Sequence, residues 1–202
     1  MTATRPRRRG KRAFLVFLLA ASSALGNDSP DPGWRVVLVP AFERPSLHEN
    51  IPGSDTAILA VARPGELGLL EYATTRGAMR WARDLAEKDG DTWLAASDVE
   101  IRRGKGRVID RILITGENPL LSSLVVSPAF YRRFEPLLGE GFHVIVPQRN
   151  TIALYPRLAG RIPPLEAGTL LRSHLIASHP VSREVFRATP GGLEADGILS
   201  EE

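Results

Sequence analysis

Short apolar runs separated by turn-forming residues organise the chain from residue 34 onward. Runs of this length, rich in β-branched and other apolar side chains, are typical of strands. The predicted strands cover residues 34–39, 56–62, 67–73, 92–101, 107–115, 142–146, 151–155, 185–188 and 193–199. Proline, glycine and asparagine in several of the intervening segments favour tight turns, so consecutive strands are predicted to form hairpins.

Helical periodicity is clearest over residues 75–89, where the apolar side chains recur on one side of the helix and the charged side chains on the other. Thr74 or Thr75 can accept hydrogen bonds at its start. Gly90 is placed to end it in a left-handed conformation.

Two further helices are predicted in the second half of the chain. Ser127 and Pro128 form a typical helix start, and this short helix runs to Gly139. The third helix covers residues 165–178 and ends before Pro180.

This order of elements predicts an α+β protein with antiparallel sheets and helices packed on one face. A hairpin, a helix and two strands occur over residues 56–115 and again over 142–199, so two similar halves are an alternative to a single unit. We therefore expect a single domain over residues 34–202, which the repeated order would divide into subdomains 34–117 and 118–202.

The first 26 residues have the layout of a secretory signal peptide. A basic stretch at residues 5–12 precedes an apolar stretch at 13–25, and the small residues Ala24 and Gly26 stand before a predicted cut after Gly26. An uncleaved anchor and a basic amphipathic arm are the alternatives, and the basic stretch leaves both the general secretory and the twin-arginine routes open. Residues 27–33 contain only polar, proline and glycine positions and predict a linker.

Removal of this leader would reverse the sign of the net charge. The 202 residues include 26 basic and 23 acidic side chains, a net charge of +3. Six of the basic residues and none of the acidic ones precede residue 27, so the remainder carries 20 basic and 23 acidic residues, a net charge of −3. We therefore expect an exported, periplasmic or secreted protein whose overall charge does not favour nucleic acid, with membrane contact only through the signal peptide.

The chain contains no cysteine. This excludes disulfides, cysteine-ligated zinc, iron–sulfur clusters and thiol nucleophiles. Sequence motifs for dinucleotides, nucleoside triphosphates, zinc proteases and serine hydrolases are also missing. Neither a metal site nor a cofactor is predicted.

Two histidines are the weak candidates for catalysis. His174 falls on the apolar side of the third helix, where a buried imidazole could act as an acid or base. His143 begins a predicted strand. A hydrogen-bonded histidine without a chemical role is the alternative at both positions.

The densest basic cluster outside the leader predicts a binding surface for an anionic partner. Its members are Arg102, Arg103, Lys105, Arg107 and Arg111. Strand alternation places several of them on one face of a predicted hairpin. A solvated hairpin is the alternative, and the lack of interleaved aromatic residues argues against single-stranded nucleic acid.

The C-terminal third carries a series of short motifs. A segment from Phe142 to Leu154 follows a helix, and a second helix then leads to Pro180-Val-Ser182 and Gly192-Leu-Glu194. This resembles the YtpQ-like bacterial family of unknown function over about residues 120–199. Asn150 stands where that family tends to have an acid, and a signal peptide is not typical of it. The resemblance implies a fold and no activity.

The sequence therefore predicts an exported, non-enzymatic binding or interaction domain of the cell envelope, with another protein or envelope component as partner. The alternative is a hydrolase-type enzyme with dispersed site residues that include a histidine such as His174.

Overall fold

The computed structural model describes residues 33–159 and 162–200, which form three helices and ten strands, one of them (His48–Asn50) outside the predicted apolar runs. The strands are β1 (Arg35–Pro40), β2 (His48–Asn50), β3 (Ala57–Pro64), β4 (Leu70–Tyr72), β5 (Asp98–Arg103), β6 (Ile109–Thr115), β7 (His143–Gln148), β8 (Thr151–Tyr155), β9 (Glu184–Thr189) and β10 (Gly192–Ile198). The helices are α1 (Ala78–Ala95), α2 (Pro128–Leu138) and α3 (Pro164–Ile176). The predicted signal peptide and all but the end of the predicted linker lie outside the described residues.

The strands form two antiparallel sheets, so the predicted α+β class is confirmed. The smaller sheet has β3 at its centre, with β1 on one edge and β2 and β4 on successive parts of the other. The larger sheet has the order β10-β9-β7-β8-β6-β5. Because β6 pairs with β8, strands from both sides of residue 117 share this sheet.

Side-chain alternation divides the larger sheet between two hydrophobic layers. Val144 and Leu154 join the main core, which the smaller sheet, α1 and α2 complete. Ile145 and Tyr155 point to the opposite face and pack with Leu170 of α3. The expectation of helices on one face is therefore wrong for α3. The physical reason is that β7 and β8 carry apolar residues at successive positions, so both faces of the sheet need cover.

Helix α1 is longer than predicted. It begins at Ala78 and passes through Gly90 to Ala95, so the strand predicted from residue 92 begins only at Asp98. Residues at four-residue spacing along α1 are buried up to Leu94, and this continuing stripe keeps the helix in the core. Gly90 therefore lies inside α1 and does not cap it, and a Cβ atom there would make only an ordinary contact of 3.7 Å with Ser127 Oγ.

The predicted Thr74 or Thr75 cap of α1 is wrong, since its N-cap is Gly77 without a side-chain hydrogen bond, but the predicted boundaries of α2 and α3 agree closely with the structure. Ser127 caps α2 as predicted, since its Oγ accepts a hydrogen bond from the Ala129 backbone N–H at 3.2 Å. Helix α3 ends at Ile176, two residues before the predicted end. The predicted hairpins form as β3–β4, β5–β6, β7–β8 and β9–β10.

Candidate functional site

All five residues of the predicted basic cluster lie on the β5–β6 hairpin at one end of the larger sheet. Strand β5 is an edge strand, and every residue in it is exposed. A short 3-10 turn, Lys105–Arg107, connects it to β6. The structure therefore brings these cations to the periphery of the sheet, where a partner could reach them.

The pairing register separates the five cations into two groups. Arg102 lies opposite Arg111, and both side chains share the sheet face that α3 covers. Arg103 lies opposite Ile109, whose side chain belongs to the main core on the other face. Asp110 is an extra residue in β6, which leaves β5 regular. We call Arg102 and Arg111 the hairpin base, and Arg103, Lys105 and Arg107 the hairpin tip.

The hairpin base is bound to a buried carboxylate. Glu166 of α3 forms an ion pair with Arg102, and Arg111 Nη1 lies 3.8 Å from its Oε2. The Tyr155 hydroxyl donates to the same oxygen at 2.8 Å. The Glu166 side chain is only 8% exposed, so these contacts fasten the start of α3 to the sheet edge. Arg111 also pairs with Glu100 at 2.6 Å, so the two arginines of the base have two carboxylates as counterions.

Burial of Tyr155 has an electrostatic consequence. Loss of solvation raises the pKa of its hydroxyl, while the positive charges of Arg111 and Arg102 act in the opposite direction. The phenol therefore remains a hydrogen-bond donor to Glu166 at neutral pH. This favours a structural role for the cluster around Glu166.

The hairpin tip presents its cations to solvent. Arg103, Lys105 and Arg107 are exposed, and within the described part of the chain none of them forms an ion pair with a carboxylate. The Asp110 carboxylate lies close by but packs against Gly104, where a Cβ atom would come within 2.5 Å of Asp110 Oδ1.

Backbone hydrogen bonds fix the shape of the tip. The Gly104 N–H donates to the Val108 carbonyl at 2.8 Å, and the Arg107 N–H donates to the Gly104 carbonyl at 3.2 Å. Arg103 Nη1 donates to the Arg107 carbonyl at 3.1 Å. Arg107 adopts a left-handed conformation with φ +63°, which is unfavourable for a residue with a side chain. The turn thus holds a strained arginine in a defined position.

His143 forms a histidine–carboxylate pair. Its Nε2 lies 3.0 Å from Asp196 Oδ2 of β10, and the neighbouring Arg187 of β9 pairs with Glu194, also of β10. A carboxylate can orient an imidazole that acts as a base. Within residues 33–159 and 162–200, however, no serine or threonine hydroxyl is hydrogen-bonded to His143.

His174 has a backbone partner. Its Nδ1 lies 3.0 Å from the Pro147 carbonyl, which ties α3 to the end of β7. The imidazole is half-buried, and in the described region neither a hydroxyl nor a carboxylate is hydrogen-bonded to it. The predicted catalytic histidines also lie on separate elements and belong to different contacts.

Sequence inspection did not identify a second cluster that joins the two sheets. Arg149, at the β7–β8 turn, is buried and hydrogen-bonds Glu43 at 3.2 Å and the Gly68 carbonyl at 3.3 Å. Tyr72 also hydrogen-bonds Glu43, and burial is the largest of the causes that raise the pKa of its hydroxyl. A cleft of about 280 Å³ lies beside Arg149 and His179. Because Glu43 balances the guanidinium charge, these contacts link the two sheets and have a structural role.

Glu184 of β9 makes a second link between the two sheets, without an arginine. It is buried, and its carboxylate accepts hydrogen bonds from Ser54 Oγ at 2.5 Å and from the Asp55 N–H at 3.1 Å. Ser182 Oγ also lies 3.4 Å from it. An acid within the otherwise apolar start of a strand was the only signal of this role in the sequence.

Two further features are missing from the residues that the structure describes. No group of three or more histidine, aspartate or glutamate side chains there could hold a metal ion. None of the helices that the structure describes is both long and apolar enough to cross a membrane.

Comparison of the chain with protein-family models, with curated proteins and with solved structures gives no match.

Proposed function

We propose that this chain is an exported, non-enzymatic binding domain of the cell envelope, and that its hairpin tip binds an acidic segment of a protein partner. The observation that carries the proposal is the state of the three cations of the tip. They are exposed and held on a hydrogen-bonded turn, and no described carboxylate forms an ion pair with them.

The contrast with the hairpin base supports this assignment. Arg102 already has Glu166 as its counterion, and this competitor lowers the gain from a further anion there without excluding one. Arg103, Lys105 and Arg107 have no such competitor among the described residues. Their fixed backbone also reduces the entropy that binding would otherwise remove.

The charge of the rest of the protein makes the tip distinctive. Without the predicted leader the chain carries a net charge of −3, so the tip is a positive region on an acidic protein. Local charge of this kind steers an oppositely charged partner toward one orientation. We therefore expect the affinity to fall as salt concentration rises.

A charge-reversal experiment tests the proposal. The probe is a short fluorescent polyglutamate peptide, and its anisotropy reports binding to the full chain. Replacement of all three tip cations by glutamate (Arg103→Glu, Lys105→Glu, Arg107→Glu) should weaken binding by about ten-fold or more.

A matched control separates the tip from net charge. Arg76, Arg80 and Lys88 are exposed cations at or near α1, and their combined replacement by glutamate changes the net charge equally. This control should retain most of the affinity. Equal losses in the two variants would refute a site at the tip, as would tighter binding to heparin or to phosphatidylglycerol vesicles than to the peptide.

Export rests on the N-terminal pattern of residues 1–26. Mass spectrometry of the protein from its native cell should find a mature N-terminus close to Asn27. An intact Met1 in a cytoplasmic fraction would contradict export. The relation to the YtpQ-like family stays a prediction, and it supplies no activity to test.

The contacts of the histidines do not favour the hydrolase alternative. His174 is hydrogen-bonded to a backbone carbonyl, and His143 to a carboxylate. Nucleophilic catalysis would need a hydroxyl within hydrogen-bond reach of one of these rings. In the described residues neither ring has one.

A further inference from the structure

The outer edge of β5 is an open strand edge. Strand β5 stands at the end of the larger sheet, and no described strand pairs with its outer side. Two of its apolar side chains remain accessible, with Val99 40% and Ile101 43% exposed. A regular edge strand with exposed apolar residues is a template for another strand.

We propose that a second copy of this chain pairs antiparallel with β5 about a two-fold axis centred on Ile101. The pairing would join two six-stranded sheets into one sheet of twice the width. The proposal goes beyond the binding function proposed above and does not depend on it.

Symmetry limits the registers that such a pair can adopt. If the two-fold axis is perpendicular to the shared sheet, the sheet face that α3 covers lies on the same side in both copies. Directly opposed residues of antiparallel strands share a face, so the axis must pass through a residue rather than between two residues. The strand Asp98–Arg103 then offers one possible centre for each of its residues.

Charge selects among these centres. Centres on Asp98, Glu100, Arg102 or Arg103 place a charged residue opposite its own copy. A centre on Val99 places Asp98 opposite Glu100 of the second copy, which is again repulsive.

The centre on Ile101 is different. It places Ile101 against Ile101 of the second copy and Glu100 against Arg102, twice by symmetry. Arg102 and Glu100 have side chains that are 42% and 61% exposed, so both can accept a second partner besides their present ones. Apolar contact on one face and paired opposite charges on the other make β5 self-complementary.

This arrangement would set two hairpin tips at opposite ends of the shared strand pair. Lys105 of each tip lies four residues from the two-fold axis, which corresponds to roughly 25–30 Å between the two Lys105 positions. If the tips bind an acidic partner as proposed above, the pair would be bivalent and would gain avidity for a repeated ligand.

Because the chain contains no cysteine, an introduced cysteine is the only thiol available for cross-linking. In the full chain, Ile101→Cys places each new thiol opposite its symmetric copy, so mild oxidation should give a disulfide-linked dimer on a non-reducing gel. Val99→Cys is the matched control, because residue 99 would face Arg103 of the second copy, well beyond the reach of a disulfide. Failure of the Ile101→Cys chain to cross-link, or equal cross-linking of the two variants, would refute the register.

A second measurement does not depend on a thiol. Ile101→Lys should shift the self-association measured by sedimentation velocity, across a concentration series, toward the monomer. Ile176→Lys makes the same substitution at an exposed site on α3 and should leave the self-association unchanged. Equal shifts would contradict a dimer through β5. Peptide anisotropy reports the tip and sedimentation reports the association, so the two proposals have separate readouts and either can fail alone.

Discussion

The base and the tip of one hairpin hold the same type of side chain in opposite circumstances. At the base, Arg102 and Arg111 face the buried carboxylate of Glu166. At the tip, Arg103 and Lys105 point into solvent without an ion pair in the described region. The residues of one basic run can therefore have different roles, because the role of each cation depends on whether the fold places a carboxylate beside it.

The energetic consequences of the two environments also differ. Removing one member of a buried charged cluster leaves the others without their partner, which is strongly destabilising. Removing an exposed charge changes stability little, because water screens it. Substitutions at the base should therefore act on stability, and those at the tip on binding.

The largest effect is expected at the centre of the base. Glu166→Ala leaves two arginines and the Tyr155 hydroxyl without their shared acceptor, and should lower the free energy of unfolding by about 3 kcal/mol. Urea denaturation of the full chain measures this. Glu100→Ala removes an exposed acid that also contacts Arg111, and should change it by less than about 0.5 kcal/mol. Similar losses in both variants would show that the Glu166 cluster is no more than a surface pair.

A smaller contrast is expected between adjacent arginines. Arg102→Ala removes the direct partner of Glu166 and should destabilise the protein by about 1.5 kcal/mol. Arg103→Ala loses only an exposed bond to the Arg107 carbonyl and should cost less than about 0.5 kcal/mol. Thermal unfolding of the two variants compares them directly, and a reversed order would contradict the assignment of their faces.

The Tyr155 hydroxyl gives a third, pH-dependent test. Tyr155→Phe loses the bond to Glu166 and should destabilise the protein by about 1 kcal/mol at neutral pH. Burial raises the pKa of this hydroxyl in the folded state. The stability linked to it is therefore full below the ordinary tyrosine pKa of about 10, and is lost as pH rises toward the folded value.

Replacement by phenylalanine should consequently make stability fall less steeply above about pH 10 than it does in the unmodified chain. Some slope should remain, since the pKa of Tyr72 is also raised, chiefly by burial. Urea midpoints measured through this range provide the comparison. Parallel curves for the two chains would mean that Tyr155 titrates alike in the folded and unfolded states.

Much of the fold could be predicted because its signals are local. The β7–β8 hairpin and the start of α2 follow from apolar runs, turn residues and the Ser127 cap. Gly90 was misleading because a glycine that ends a helix and a glycine inside a helix look identical in sequence, and here the buried stripe continues to Leu94. The second face of the larger sheet was missed for a related reason, since the position of α3 depends on which strands become central.

The candidate site was predicted in part. Strand alternation predicted that several of the cations share one hairpin face, and the structure places Arg102 opposite Arg111. Their partner Glu166 lies far along the chain on a predicted helix, and nothing local links it to the hairpin. Sequence spacing could locate the basic cluster, but only the tertiary fold divides it into a neutralised base and an exposed tip.

The smallest expected effect concerns strain at the tip. Arg107 occupies a left-handed conformation that glycine adopts without penalty, so Arg107→Gly should be more stable than Arg107→Ala by up to about 1 kcal/mol. Both variants remove the same charge and should lower the affinity for the polyglutamate probe equally. Thermal unfolding and anisotropy on the same samples separate strain from binding. A glycine variant no more stable than the alanine variant would show that the turn relaxes without the arginine. The expected result would mean that the tip holds Arg107 in place at the expense of stability. The cations of the base, in contrast, stabilise the fold.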